Sequence, residues 1–148
     1  MVILALDIAT KTGWATENNS GVWNFNIKPG ESANLKLFKF SQSLAKLNSE
    51  FKFDLIVWER PVGRFKNALI HESKLIGVAA LYCYQNSIQH AEYSPAAIKK
   101  YATGKGNANK KAMILAAQEK WQNMVIIDDN HADALWLYEL AKNDYNLL

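Results

Sequence analysis

Two strand-like patterns in the chain each end on a single carboxylate. An apolar, partly β-branched run at residues 2–6 leads directly to Asp7, and a second strand pattern at residues 54–58 leads to Glu59. Such runs are typical of buried strands. An acid at the end of a buried strand is costly to desolvate unless it has a partner, and a divalent metal ion is one such partner. The alternative for Asp7 is that it only caps the following turn through a threonine.

A third acidic group precedes the last apolar helix pattern, at residues 128–133 (Asp-Asp-Asn-His-Ala-Asp). Asp133 falls one turn inside the predicted helix, and Asp129 and Asn130 share its face because they precede it by four and three residues. Residues of these types also cap helices, and we expect at least one of them to do so. Capping does not require three acids, a His and an Asn together, so the cluster is also a candidate ligand set.

Oxygen ligands from separate elements, with no Cys and at most one His, suit Mg²⁺ or Mn²⁺ rather than zinc. Two such ions cleave phosphodiesters, because one prepares the water nucleophile and the other stabilises the leaving oxygen. Basic side chains in two segments would then contact phosphates, although each segment alone could be a solvated face. These residues are Arg60, Arg64, Lys66, Lys99, Lys100, Lys105, Lys110 and Lys111. The residues predict a metal-dependent nuclease.

The elements that position these residues follow an α/β pattern. Three strands joined by short turns, at residues 2–6, 14–16 and 21–27, indicate an antiparallel meander. A helix capped by Ser32 and running to about Phe51 leads to the strand at 54–58, which predicts a right-handed crossover and a parallel pair. Because α/β sheets place their sites at the carboxyl ends of such strands, we expect Asp7 and Glu59 to lie side by side.

The second half of the chain predicts one more strand and four helices. Ser94 and Pro95 are a helix start signal, with Ser as the cap and Pro at the first helical position. The predicted elements are a helix at about 68–85, an edge strand at 87–92, and helices at 95–103, at about 110–121 and after the acidic cluster.

Composition limits the classes of protein. A chain of 148 residues predicts one domain, residues 1–148. No apolar run is long enough to cross a membrane, and the N-terminus lacks the pattern of a secretory signal. The lone Cys83 cannot form an intrachain disulfide and predicts a cytoplasmic protein. The net charge of +3 does not by itself indicate a polyanionic partner.

Five motifs resemble the RuvC family of Holliday-junction resolvases, and the resemblance covers nearly the whole chain. The most specific is Pro-x-x-x-Lys followed by Gly-x-Gly-x-x-x-Lys, because short acidic clusters occur in many folds. The motifs stand at residues 6–14, 57–59, 94–99, 103–110 and 132–135. The resemblance implies an RNase H-like α/β fold, with a five-stranded mixed sheet of three antiparallel strands and then parallel strands, flanked by helices.

The resemblance also implies roles for individual residues. Asp7, Glu59 and Asp133 match the family's metal ligands. They imply a site for two Mg²⁺ ions, in which Mn²⁺ could substitute for Mg²⁺. Lys99 and Lys110 match its basic residues beside the scissile phosphate, which position it and offset developing charge.

This sequence departs from the family at the fourth ligand position, and also at Ala9, where the family usually has Gly. The position three residues before Asp133 is normally an acid or a His, and here it is Asn130. We favour Asp129, because it is charged and shares the face of Asp133. Asn130 itself remains an alternative, and His131 is another, either as a ligand or as a general base.

The loop after the family's glutamate usually presents an aromatic wedge to the junction. Phe65, between Arg64 and Lys66, is the candidate here, and core packing is its alternative. The substrate's two-fold symmetry implies a homodimer, with the helix at about 68–84 as either a dimer element or a core helix.

The predicted function is resolution of four-way DNA junctions by paired symmetric nicks. A nuclease that cuts forks, flaps and three-way junctions as well is the nearest alternative. A junction-binding protein with little or no cleavage is the alternative of another class, and Asn130 at an acid's position favours it.

Overall fold

Strands and helices alternate along the chain after an initial run of three strands. In the computed structural model, which describes residues 1–62 and 66–145, the strands are β1 (Ile3–Asp7), β2 (Lys11–Ala15), β3 (Ser20–Asn24), β4 (Leu55–Glu59) and β5 (Gln89–Tyr93). The helices are α1 (Leu35–Phe51), α2 (Lys66–Gln85), α3 (Pro95–Thr103), α4 (Lys110–Lys120) and α5 (Asp129–Asp144).

The five strands form one mixed sheet in the order β3-β2-β1-β4-β5. β2 pairs antiparallel with β1 and β3, whereas β4 pairs parallel with β1 and β5. The predicted fold class, with three antiparallel strands followed by parallel ones, is therefore confirmed. Leu6 of β1 is in register with Trp58 of β4, so Asp7 and Glu59, the next residues of each strand, end at the same edge of the sheet.

Each face of the sheet carries its own core, because side chains alternate along a strand. Ile3 and Ala5 of β1 pack beneath α3, α4 and α5, while Leu4 and Leu6 pack beneath α1 and α2. Both leucines are fully buried, and each burial stabilises the fold by about 1.5–3 kcal/mol. The sheet is thus held between two helical layers, which fix the positions of its strand ends.

The first turn of α5 packs directly on β2 at Gly13. A Cβ atom at Gly13 would overlap the backbone carbonyl of Asn130 and come within 3.0 Å of the His131 nitrogen. Only glycine lets the helix backbone approach this closely. The residue therefore sets how near the start of α5 lies to the end of β1.

Several element boundaries differ from those that the sequence predicts, among them the start of β2, the end of β3 and the start of α1. β2 begins at Lys11 rather than at residue 14, and β3 ends at Asn24 rather than at residue 27, because Lys11 and Asn24 are paired partners in the two strands. Ser32 does not cap α1: its hydroxyl accepts from the Asn34 N–H in a turn, and the helix begins only at Leu35.

Within the described ranges, no helix has the length and apolar character needed to span a membrane.

Candidate active site

Three carboxylates from distant parts of the chain meet where β1 and β4 end. Asp7, Glu59 and Asp133 each offer an oxygen, and these atoms all lie within 4.8 Å of one another. The first two come from adjacent parallel strands, and the third comes from the second turn of α5. Asp7 is only 9% exposed. The structure thus brings together three of the residues that the sequence singles out.

The three acids make each other harder to ionise. Burial raises the pKa of Asp7 well above its usual range, and the charges of Asp133 and Glu59 raise it further. Burial, followed by the charges of Glu59 and Asp129, raises the pKa of Asp133 to about 7. The pKa of Glu59 is also raised by burial, against the opposing effects of a hydrogen bond with Asp7 and the charge of Lys99.

This donor set fits a divalent cation. Over residues 1–62 and 66–145, none of the three carboxylates forms an ion pair within 4.0 Å. Buried like charges without a direct counter-ion are unfavourable, and hard oxygen donors are those that Mg²⁺ and Mn²⁺ prefer.

The electrostatics predict that the metal-free protein loses stability as the pH rises. Asp133 has a pKa of about 7 in the folded chain against 3.8 when unperturbed. Between these values the folded state binds more protons than the unfolded state, so the free energy of unfolding falls with increasing pH. The contribution is fully present below pH 3.8 and is lost as the pH rises through about 7.

Thermal unfolding in EDTA between pH 4 and pH 8 measures this effect. Asp133→Asn, which cannot titrate, is the control and should show a clearly shallower decline in Tm. Equal slopes for the two proteins would contradict the prediction.

Two lysines lie on the helices that flank the acids. Lys99 of α3 is half-buried, and its charge opposes the raised pKa of both Glu59 and Asp133. Lys110 begins α4, and its Nζ lies 3.4 Å from Oδ2 of Asp129 with the side chain 85% exposed. Both lysines therefore carry their charge towards the acidic cluster.

Local sequence signals fix the ends of these two helices. The Ser94 hydroxyl accepts from the Ala97 N–H at 3.1 Å at the start of α3, and the Asn109 side chain accepts from Ala112 at the start of α4. Gly104 ends α3 with a φ of +82°, a left-handed conformation that favours glycine. The segment between the two helices, residues 104–109, contains Gly104 and Gly106 and is called the glycine corner. It sets the relative direction of α3 and α4, and so places both lysines near the acidic cluster.

The two acids that precede Asp133 have different roles: one caps α5, and the other acts on the acidic cluster through its charge. Asp128 is the N-cap of α5, since its carboxylate accepts from the His131 N–H at 2.8 Å. Asp129 raises the pKa of Asp7 and Asp133 through its charge. In the described part of the chain, however, the mutual 4.8 Å cluster consists of three residues and does not include it.

His131 is buried and connects α5 to the start of β3. It is 2% exposed, its Nδ1 accepts from the Ile127 N–H at 3.1 Å, and its Nε2 lies 2.8 Å from the Ser20 hydroxyl. Because Nδ1 accepts, Nε2 carries the proton and donates to Ser20. Burial lowers the pKa of the imidazole, which favours this neutral form. Both ring nitrogens are thus occupied by the protein's own groups.

The turn after Asp7 closes without its carboxylate. The Thr12 hydroxyl donates to the Ala9 carbonyl at 2.6 Å and accepts from the Ala9 N–H at 3.3 Å. The capping alternative for Asp7 is therefore not the arrangement that the structure shows.

The remaining predicted DNA contacts are spread over the surface. Arg60 is exposed with its Nε 3.8 Å from Oε2 of Glu92, and the side chains of Lys66 and Lys105 are exposed. Arg64 and Phe65 lie outside the described residues.

A mixed sheet of this order, with acids at the ends of its central parallel strands and on the helix that crosses them, matches the RNase H-like fold that the sequence resemblance implies. The family model for crossover junction endodeoxyribonuclease RuvC matches residues 19–137. The chain therefore belongs to the RuvC family, whose members are nucleases that resolve Holliday junctions.

Solved structures share the fold at low sequence identity. RuvC of Thermus thermophilus in complex with Holliday junction substrate superposes with a TM-score of 0.78 and 16% identity, over 99% of this chain and 94% of that one. The yeast mitochondrial Holliday junction resolvase gives 0.63 and 17%, over 92% and 75%. The fowlpox virus resolvase bound to Holliday junction DNA gives 0.60 and 18%, over the whole of both chains.

Proposed function

We propose that this protein is a Mg²⁺-dependent endonuclease that resolves four-way DNA junctions by paired symmetric nicks. The observation that carries the proposal is the convergence of Asp7, Glu59 and Asp133 in a chain of the RuvC family. A junction nuclease has to handle DNA in the cell, and the single, buried and unpaired Cys83 suits a reducing compartment such as the cytoplasm.

Asp7, Glu59 and Asp133 would hold the metal, with Asp129 as the proposed fourth ligand. Two Mg²⁺ ions, or Mn²⁺ in their place, would supply an activated water and stabilise the leaving oxygen. The 3.4 Å contact of Asp129 with Lys110 supports its assignment, because this carboxylate is turned towards α4 and the lysine proposed to hold the phosphate. His131 is less suited, since both of its ring nitrogens are already engaged.

Lys99 and Lys110 would position the scissile phosphate and offset the charge that develops on it. Their helices place one lysine on each side of the glycine corner between α3 and α4. Arg60, Lys66 and Lys105, all exposed, would contact neighbouring phosphates, which fixes the register of the DNA rather than its sequence. Arg64 and the wedge residue Phe65 are proposed as further junction contacts on the family resemblance alone.

An exposed apolar stripe on α2 supports a homodimer. Ile70, Leu81 and Tyr84 lie on one face of the helix and are 42%, 57% and 77% exposed. Gly77 lies between them, and a Cβ there would meet nothing within 4 Å. A second helix could approach this face closely, and a two-fold symmetric junction calls for two active sites.

The α2 stripe predicts that Leu81→Glu converts the protein to a monomer. A charge placed in an apolar interface is left without a partner, and we expect dimerisation to weaken at least about tenfold. Sedimentation velocity measures the result. Leu115→Glu, which places the same charge at an exposed leucine of α4, is the control and should remain dimeric. A dimeric Leu81→Glu variant would contradict the assignment of this face.

Cleavage of a synthetic four-way junction beside a linear duplex of the same sequence tests the function. Reactions with Mg²⁺, Mn²⁺ and EDTA should give symmetric nicks that ligase can seal, and only when metal is present. Equal cutting of forks and flaps would favour the broader branched-DNA nuclease. Tight junction binding without cutting in either metal would overturn the nuclease and favour a binding protein.

A further inference from the structure

A groove between the end of β3 and α1 is unused by the site described above. Its volume is about 300 Å³, and it is lined by Asn24, Phe25, Lys39, Gln42, Ser43 and Lys46. The lining contains two ammonium groups, three neutral polar side chains and one aromatic ring, and no carboxylate. The groove is therefore suited to an anion rather than to a cation or an apolar segment.

The two lysines form a line along one wall of the groove. Lys39 and Lys46 are seven residues apart on α1, which places them on the same face about 10 Å apart along the helix axis. Within residues 1–62 and 66–145, neither forms an ion pair within 4.0 Å. Glu50, one turn beyond Lys46, lines a neighbouring groove beside Trp14 and Trp23, and Lys46 borders both grooves.

The groove is continuous with the turn that follows Asp7. Lys36 precedes Lys39 by one turn of α1, and its Nζ lies 3.3 Å from the hydroxyl of Thr10. The Thr10 carbonyl in turn accepts from the N–H of Phe25, a lining residue, at 2.8 Å. A strand of DNA in the active site would thus reach Lys36 first and then the groove.

This line of charge lies on the other side of the sheet from the lysines already assigned. α1 covers the face that it shares with α2, whereas Lys99 and Lys110 belong to helices on the opposite face. The two sets therefore lie on opposite faces, and Lys36 of the first set lies beside the turn that follows Asp7. The two together would bracket a backbone that crosses the active-site edge of the sheet.

We propose that the groove between β3 and α1, with Lys36 at its entrance, binds the backbone phosphates of a DNA arm as it leaves the active site. The proposal rests on the proposed function. Ammonium groups strung along one helix, with neutral polar side chains between them, match an extended polyanion better than a single small anion, which needs converging donors.

The double variant Lys39→Gln/Lys46→Gln tests the groove. Junction binding, measured in EDTA at several NaCl concentrations, should weaken about tenfold, and the slope of log Kobs against log[NaCl] should become shallower by about 1 to 2. The single-turnover cleavage rate at saturating protein in Mg²⁺ should stay within about twofold of wild type, because no group of the catalytic cluster changes.

Two controls keep the result specific. Lys52→Gln/Lys142→Gln, the remote control, removes the same charge at two positions outside the groove lining and should leave both affinity and salt slope nearly unchanged. Lys39→Arg/Lys46→Arg retains the charge and should restore binding. Suppose that the groove variant and the remote control have the same affinity and salt slope while wild type binds and cuts junctions. In that case the proposed DNA-binding role of the groove is refuted, and the proposed nuclease function is retained. If wild type neither binds nor cuts junctions, both proposals are overturned.

Discussion

Asp7→Asn is expected to abolish junction cleavage and, at the same time, to stabilise the metal-free protein. The amide keeps the shape of the carboxylate but is a poor ligand, so we expect a loss of about a thousand-fold or more in cleavage rate. In the absence of metal, the same change replaces a buried carboxyl whose ionised form is disfavoured by burial and by the charges of Asp133 and Glu59. At pH 8 in EDTA the Tm should therefore rise by at least about 3 °C.

Differential scanning calorimetry in EDTA and in Mg²⁺, with a junction-cleavage assay alongside, measures both effects. Wild type should gain stability on adding Mg²⁺, whereas the variant should gain much less. Glu119→Gln, an exposed acid on α4, is the matched control and should change neither quantity. A variant that is less stable than wild type without metal would show that Asp7 serves the fold rather than a ligand set.

Gly13→Ala is expected to have the second largest effect. The added methyl overlaps the Asn130 carbonyl, so the first turn of α5 must move away from β2. Overpacking of this kind costs about 1–3 kcal/mol of stability. Because Asp133 rides on this helix, a displacement of about 1 Å at the site should reduce the cleavage rate about 100-fold.

The metal-induced rise in Tm, measured beside the cleavage rate, separates the two consequences. Both should fall in Gly13→Ala even at temperatures where the variant is fully folded. Gly106→Ala is the comparison, because a Cβ there makes ordinary contacts of 3.5 Å or more with Ala96. A fully active Gly13→Ala protein would mean that the start of α5 does not set the geometry of the acids.

Much of the fold can be predicted from the sequence because the central strands carry continuous apolar runs. β1 and β4 are buried along nearly their whole length, so pattern alone locates them and the acids at their ends. β2 was harder, since Lys11, Thr12 and Gly13 do not look like a strand. Their conformation is set by pairing with β3 and by the helix that lies on Gly13, neither of which is visible locally.

Some residues of the site can likewise be predicted from the sequence, and others cannot. Asp7, Glu59 and Asp133 stand out because an acid in an apolar context is unusual wherever it occurs. The role of His131 could not be predicted, because its partner Ser20 is 111 residues away in the chain and the hydrogen bond exists only after folding. The position of Lys36 cannot be predicted for a related reason: on an amphipathic helix it resembles any solvated lysine, and only the fold places it beside Thr10.

The wide separation of the three acids along the chain also bears on the safety of making a nuclease inside a cell. Asp7 leaves the ribosome early, but Asp133 lies on α5, the last helix that the structure describes. A nascent, prematurely terminated or partly degraded copy that lacks α5 holds at most two of the three carboxylates. Such copies are expected to be unable to cut DNA, since the three carboxylates meet only when α5 docks on the sheet.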